Sequence, residues 1–229
     1  SCSLTVLTAC GLAPGEQPAP TRAYASPSVP LTADPVRVYG KIFPVDEAST
    51  DPTFKAFRDS VIRMVGARDT LALFAILTPE VKLSFGGDYG RAGLQTIWEF
   101  DKPETQLWRT LDDVLHHGGR FAGESFFYAP YTFQSLPDSL DAFEHVIVRD
   151  TNALVYATPD STTPPIARLD HDIVKTGEFA ADPAWRTVLL TSGATAFVPE
   201  RHIRSPIDYR IGFERIAGRW MISVFLAGD

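Results

Sequence analysis

Cysteine is nearly absent from this chain. Only Cys2 and Cys10 occur in 229 residues, both among the first ten, so nothing after them can form a disulfide, a thiolate metal site or a cysteine nucleophile. A basic excess is also lacking. The 21 Lys and Arg face 28 Asp and Glu, for a formal net charge of −7. A nucleic-acid binder needs a positive field to displace counterions, so no nucleic-acid partner is expected. No apolar run reaches the ~18 residues that a membrane-crossing helix requires. No histidine pair has His-x-x-x-His spacing, so no metal and no cofactor is expected. There is no Gly-x-x-x-x-Gly-Lys phosphate loop. Gly123-Glu124-Ser125-Phe126-Phe127 lacks the second glycine of a serine-nucleophile elbow.

What remains is ordinary globular material, with 45% hydrophobic and 21% charged residues. The length suits one or two domains and can bury a core without staples. The order of elements predicts an α+β class. Asp51-Pro52 reads as the N-cap and first position of a helix that Gly66 ends. Phe54, Phe57, Val61, Met64 and Val65 recur along it at helical spacing. Asp69 caps a second, short helix over 70–77, which Pro79 closes. Val81, Leu83 and Phe85 alternate with Lys82 and Ser84 as in a strand. After the glycine-rich turn at 86–90, a helix over 91–100 carries Leu94, Ile97 and Trp98. Another, opened by Pro103-Glu104, places Leu107, Trp108, Leu111, Val114 and Leu115 on one face until Gly118-Gly119. The aromatic stretch 121–131 reads as a strand.

From Phe143 onward short β-type runs alternate with turns, the pattern of a small barrel of about five or six strands. Tyr209, Ile211 and Phe213, then Trp220, Ile222, Val224 and Leu226, form a hairpin around Ala217-Gly218. A hairpin is not stable alone. It is expected to complete an antiparallel sheet begun near Val81 and Phe121, which makes the barrel (143–206) an insertion in an α+β domain (37–142 with 207–229).

At the other end, 4–9 are apolar or small, uncharged, and resemble the end of a secretory signal. The chain begins with Ser1, so the natural start is expected upstream. Leu7-Thr8-Ala9-Cys10 is similar to the bacterial lipobox, which implies cleavage before Cys10 and thioether lipidation of its thiol. An ordinary signal peptide, or a chance cysteine in an apolar stretch, is the alternative. Residues 1–10 are then a signal remnant. The expected address is the bacterial cell envelope, with the protein lipid-anchored, on the periplasmic or outer-membrane face if the host is Gram-negative. Between 11 and 36 stand six prolines and few large apolar residues. Such a stretch cannot offset its chain entropy by burial and is expected to be a disordered tether, reaching on the order of 80 Å when extended.

Residues 144–205 resemble a bacterial SH3-type domain. The carrying residues are the turn Thr158-Pro159-Asp160-Ser161, the strand Trp185-Arg186-Thr187-Val188, and Gly193 ahead of Ala196-Phe197-Val198. Tyr156 stands where usual members have Arg, and Ala196 where they have Gly. The chain from about 52 to 229 is also similar to uncharacterised bacterial SH3-domain-containing lipoproteins. Ser84-Phe85-Gly86-Gly87, Gly118-Gly119-Arg120-Phe121, Ala129-Pro130-Tyr131 and the run from Arg204 to Arg210 carry that likeness. Helix-then-sheet order resembles, more distantly, the cone fold of nuclear-transport-factor-two-like proteins.

Candidate chemistry is sparse. Tyr156, Trp185 and Phe197 are candidates for the floor of a peptide or glycan groove, although Trp185 also suits a barrel core. Asp88, Trp98 and Trp108 are candidates for a pocket in the α+β part. His116-His117 end a helix, where imidazolium suits the helix dipole; adjacent helical positions point about 100° apart and chelate one ion poorly. Asp170-His171-Asp172 reads as a ligand cluster or a solvated turn. The expected function is non-enzymatic: an SH3-type module on a lipid-anchored envelope protein, binding a peptide, a protein or peptidoglycan. The alternative is an envelope hydrolase with its site near Asp88, Trp98 and Trp108. A structural subunit is a third reading.

Overall fold

The computed structural model describes residues 34–99, 102 and 105–228. Cys10 and 11–33 of the expected tether lie outside them. In chain order the elements are β1 (Val38–Lys41), α1 (Pro52–Gly66), α2 (Thr70–Ile76), β2 (Leu77–Lys82), α3 (Gly90–Trp98), α4 (Leu107–His116), β3 (Arg120–Phe121) and β4 (Phe126–Ala129). The second half contributes β5 (His145–Val148), β6 (Ala153–Val155), β7 (Ala167–Leu169), β8 (Asp172–Lys175), β9 (Trp185–Leu189), β10 (Thr195–Pro199), β11 (Ile203–Arg204), β12 (Arg210–Ile216) and β13 (Arg219–Leu226). The class is α+β.

Local chemistry starts the helices. The Asp51 carboxylate accepts from the N–H of Thr53 at 2.8 Å and of Phe54 at 3.2 Å, ahead of Pro52. Asp69 accepts from Ala72 N–H at 3.0 Å and starts α2. Such a cap contributes about 1 kcal/mol. On α4, Leu107, Trp108, Leu111, Val114 and Leu115 are all buried.

The helices cover a five-stranded sheet ordered β2-β13-β12-β4-β3. Phe54 is fully buried at its centre, with its ring 4.3 Å from Phe127, 5.3 Å from Phe213 and 4.9 Å from Trp220. Three features of this sheet differ from the sequence reading. It is not antiparallel throughout, because β2 runs parallel to β13, with Leu77 opposite Ile222. Most of the chain separates these strands, so no tight turn dictates their direction. Next, β2 begins at Leu77 and contains Pro79. Proline lacks a donor for the ladder but is tolerated because β2 is an edge strand. Last, 121–131 is not one strand. Gly123, at φ +71°, turns it between β3 and β4, and Ala122 N–H closes on Phe126 C=O at 2.9 Å.

The remaining strands do not close on themselves. They form a four-stranded sheet, β1-β8-β5-β11, and two ribbons, β9-β10 and β6-β7. Single bridges link these pieces, Thr176 to Val188 and Tyr156 to Phe197 among them. Among the described residues no closed barrel is present, because isolated bridges replace the continuous ladders that closure needs. The sheet also takes in a strand from outside 143–206. Val38 pairs with Val174 and Lys41 with Asp172. Just before it, the Asp34 carboxylate accepts from the Thr191 hydroxyl at 2.8 Å and from Ser192 N–H at 2.9 Å. A second apolar core, including Val146, Val155, Val174, Val188 and Val198, fills this half.

Candidate ligand-binding cleft

Gly118 and Gly119 let two segments meet at the end of α4. A Cβ on Gly118, which sits at φ +60°, would stand 2.2 Å from the Val45 carbonyl oxygen. One on Gly119 would stand 2.3 Å from the Tyr128 carbonyl oxygen. Without side chains, Gly119 donates to Val45 C=O and accepts from Glu47 N–H, each at 3.0 Å. Tyr131 N–H then donates to His117 C=O at 3.1 Å. The end of α4, the 44–47 segment and Tyr131 therefore form one wall, and Arg149, just past β5, faces it. Between them lies a cleft of about 370 Å³, lined by Asp46, His116, His117, Tyr131, Arg149 and Asp150 among others.

Its polar groups are held in definite states. His117 Nε2 lies 3.0 Å from Arg149 Nη1, and Nδ1 lies 2.5 Å from the Asp113 backbone oxygen. A guanidinium only donates, so Nε2 accepts and Nδ1 carries the proton. Arg149 Nη1 also reaches Asp113 Oδ1 at 3.3 Å, and Nη2 donates to Arg201 C=O at 2.8 Å. Arg204 donates to the other Asp113 oxygen and to Tyr209 C=O, the latter at 2.6 Å. Burial alone would raise the Asp113 carboxyl, but its cationic neighbours, Arg204 foremost, hold it below the usual carboxylate range. Asp46 behaves alike. Burial opposes ionisation there, and the Arg58 fork at 2.6 and 2.7 Å outweighs it. Asp150 receives His202 Nδ1 at 2.6 Å.

Two polar atoms bordering the cleft are left over among the described residues. Tyr131 is 2% exposed and its hydroxyl has no hydrogen-bond partner among the described residues; burial raises the phenol above its usual range. Arg149 Nε is likewise buried and unpartnered. Past Arg149 a second cleft, of about 410 Å³, continues along α4. Arg109, Asp113, Glu200, Arg204, Asp208 and Tyr209 are among its walls.

The residues singled out from sequence lie elsewhere. Trp108 is buried in the main core. Trp98 packs against Tyr209 at 5.0 Å and Phe225 at 5.3 Å. Asp88 stays on an exposed loop, where the Ser84 hydroxyl donates to it at 2.8 Å. None of the three lines either cleft. Tyr156 and Trp185 do meet, ring edge to face at 5.5 Å, and Phe197 pairs with Tyr156 through both backbone hydrogen bonds at 2.8 Å. Strand alternation puts Trp185 and Phe197 on the ribbon face opposite the buried Val188, Ala196 and Val198. These three aromatics also lie outside the two clefts. The Asp170-His171-Asp172 turn spends its carboxylates on Lys41, at 3.5 and 3.0 Å. Among the described residues no group of three His, Cys, Asp or Glu is placed to hold a metal ion.

Asp113 and Arg149 were not singled out by sequence reasoning; Tyr131 entered it as one of several aromatics suited to a pocket, and Arg204 only as the head of a motif run. Arg149 carries no motif, and the signals that pointed here were Ala129-Pro130-Tyr131 and His117 beside two glycines. Comparison with protein-family models, curated proteins and solved structures finds no match to this chain.

Proposed function

We propose that the protein is a lipid-anchored component of a bacterial cell envelope that binds a polar ligand, without transforming it, in the cleft between α4 and Arg149. The observation that carries the binding reading is the buried Tyr131 hydroxyl, left without a partner among the described residues on a cleft wall faced by Arg149, whose Nε is likewise unpartnered. A buried polar atom left unsatisfied costs about 1–3 kcal/mol, and sites that keep one need a reason. A ligand offering an acceptor in the cleft supplies that reason.

The address rests on Leu7-Thr8-Ala9-Cys10 and the proline-rich stretch after it. Segment 143–206 we read as an SH3-type module inserted in the α+β part, which 207–229 completes. The succession of short strands and the Trp185 and Gly193 positions support this. Binding is preferred to hydrolysis because both carboxylates among the described residues of the cleft are engaged, Asp46 by the Arg58 fork and Asp150 by His202 Nδ1 at 2.6 Å. General acid catalysis needs a carboxyl with a raised pKa, and Asp46 is shifted the other way by Arg58.

Two experiments test the halves separately. In the native host, Cys10→Ser should move the protein to the soluble fraction; a variant still on membranes sinks the address. For the cleft, the full chain with Cys10→Ser is sedimented with washed native envelopes, alone and with His116→Trp. His116 is on the rim with its side chain 52% exposed, so tryptophan obstructs the cleft without entering the core. Retention should fall at least about fivefold with His116→Trp, a loss of roughly 1 kcal/mol. Equal retention rejects the cleft as the binding site.

A further inference from the structure

We propose that the second cleft, on the Arg109 side of Arg149, binds a phosphoryl anion, and that the ligand of the reading above carries that group. The place rests on the binding reading, while the chemistry is argued from the charges around this cleft.

The chain as a whole is acidic, with a net charge of −7, yet Arg109, Arg149 and Arg204 converge here from α4, the end of β5 and β11. The carboxylates of the cleft are largely committed. Asp113 is shared by Arg149 and Arg204. Glu200 is held in a fork by Arg186, at 2.9 and 2.5 Å. Asp208 takes Tyr209 N–H at 2.6 Å with one oxygen, and the other stands 4.0 Å from Arg204. Arg109 is the cation in excess. It is exposed and makes no hydrogen bond or ion pair among the described residues, although Asp113 stands one helical turn away. Asp113 is turned to the other two guanidiniums instead.

The second observation is inside the wall. Arg204 has a side chain only 4% exposed, and its Nε has no partner. Nε of Arg149 is in the same condition. Buried Arg204 and Arg149, whose side chain is 17% exposed, each keep a buried Nε without a partner among the described residues, and they border a cleft on which Arg109 stands unpaired among those residues. A carboxylate offers two oxygens, and Asp113 already fills that role. A phosphoryl group offers three peripheral oxygens and up to two charges, enough to engage Arg109 and a second guanidinium together. A space of about 410 Å³ accommodates that group with a small substituent.

The test uses the full chain with Cys10→Ser, titrated calorimetrically with inorganic phosphate and, as comparator, acetate. Phosphate is expected to bind and acetate to bind more weakly. Arg109→Gln, at an exposed helical position, should keep the fold by circular dichroism and lose phosphate affinity about tenfold. No phosphate binding, acetate binding as tight as phosphate, or unchanged affinity in Arg109→Gln each overturns the proposal. Glycerol phosphate in solution and vesicles of phosphatidylglycerol in phosphatidylcholine then separate a soluble ligand from a lipid headgroup. Envelope retention that His116→Trp abolishes but phosphate and Arg109→Gln leave untouched would keep the first cleft and reject the phosphoryl group.

Discussion

Removing the Asp113 carboxylate tests the centre of the site most directly. In Asp113→Ala, Arg204 keeps Tyr209 C=O and a distant Asp208 oxygen at 4.0 Å, but loses its only close countercharge among the described residues. Its side chain is 4% exposed, so water cannot take over. Stranding a buried charge in this way costs about 3–5 kcal/mol. Two facts reduce that figure here. Asp113 is 40% exposed and Arg149 is 17% exposed, so part of the wild-type interaction is already screened. A loss of about 2–3 kcal/mol is expected, which for a chain of this size lowers Tm by roughly 4–12 °C.

The assay is urea unfolding at neutral pH of wild type, Asp113→Ala, Arg204→Met and the double variant. In the Arg204→Met background the cost of Asp113→Ala should shrink by at least about 1 kcal/mol, since no stranded charge remains. The pH dependence has a definite sign. The folded Asp113 carboxyl lies below its unfolded value, so its stabilisation is complete above the ordinary carboxylate pKa, about 3.9. It is lost as the pH falls through the lower folded value. The advantage of wild type over Asp113→Asn should therefore vanish in acid. A cost for Asp113→Ala below about 0.5 kcal/mol, or one unchanged by Arg204→Met, would refute the reasoning.

Two further outcomes follow from the cleft wall. Tyr131→Phe removes a hydroxyl that bonds to nothing and leaves the ring buried, so unfolding free energy without ligand should be unchanged or higher by up to about 1 kcal/mol; a loss beyond that would mean the hydroxyl is satisfied. Gly119→Ala forces a methyl to 2.3 Å from a backbone oxygen and 2.5 Å from the Phe127 ring, and should cost about 3 kcal/mol or more. Gly123→Ala, with a positive φ but open space around it, should cost only about 1 kcal/mol, so equal losses by thermal melt would count against the close-approach argument.

Much of the local structure was readable in the residues themselves. The Asp51-Pro52 and Asp69 starts, the buried face of α4 and the turn at Ala217-Gly218 depend on groups a few positions apart, and short-range hydrogen bonds and helical spacing decide them. The expectation of a lipidated Cys10 and an envelope address rests on the same short-range kind of signal, in residues outside those described, whereas the last residues of the expected tether, Asp34 to Val36, are drawn against the second half, with Val36 buried in its core. The pairing of Val38–Lys41 with Asp172–Lys175, the parallel entry of Leu77–Lys82 and the open arrangement of the second half were decided only on folding. Partners more than a hundred residues apart leave no periodic trace in either segment. The cleft is the extreme case: Tyr131, Arg149, Asp113 and Arg204 come from four separate segments. Their charges and unspent hydrogen bonds acquire meaning only through distance and burial, which tertiary packing sets.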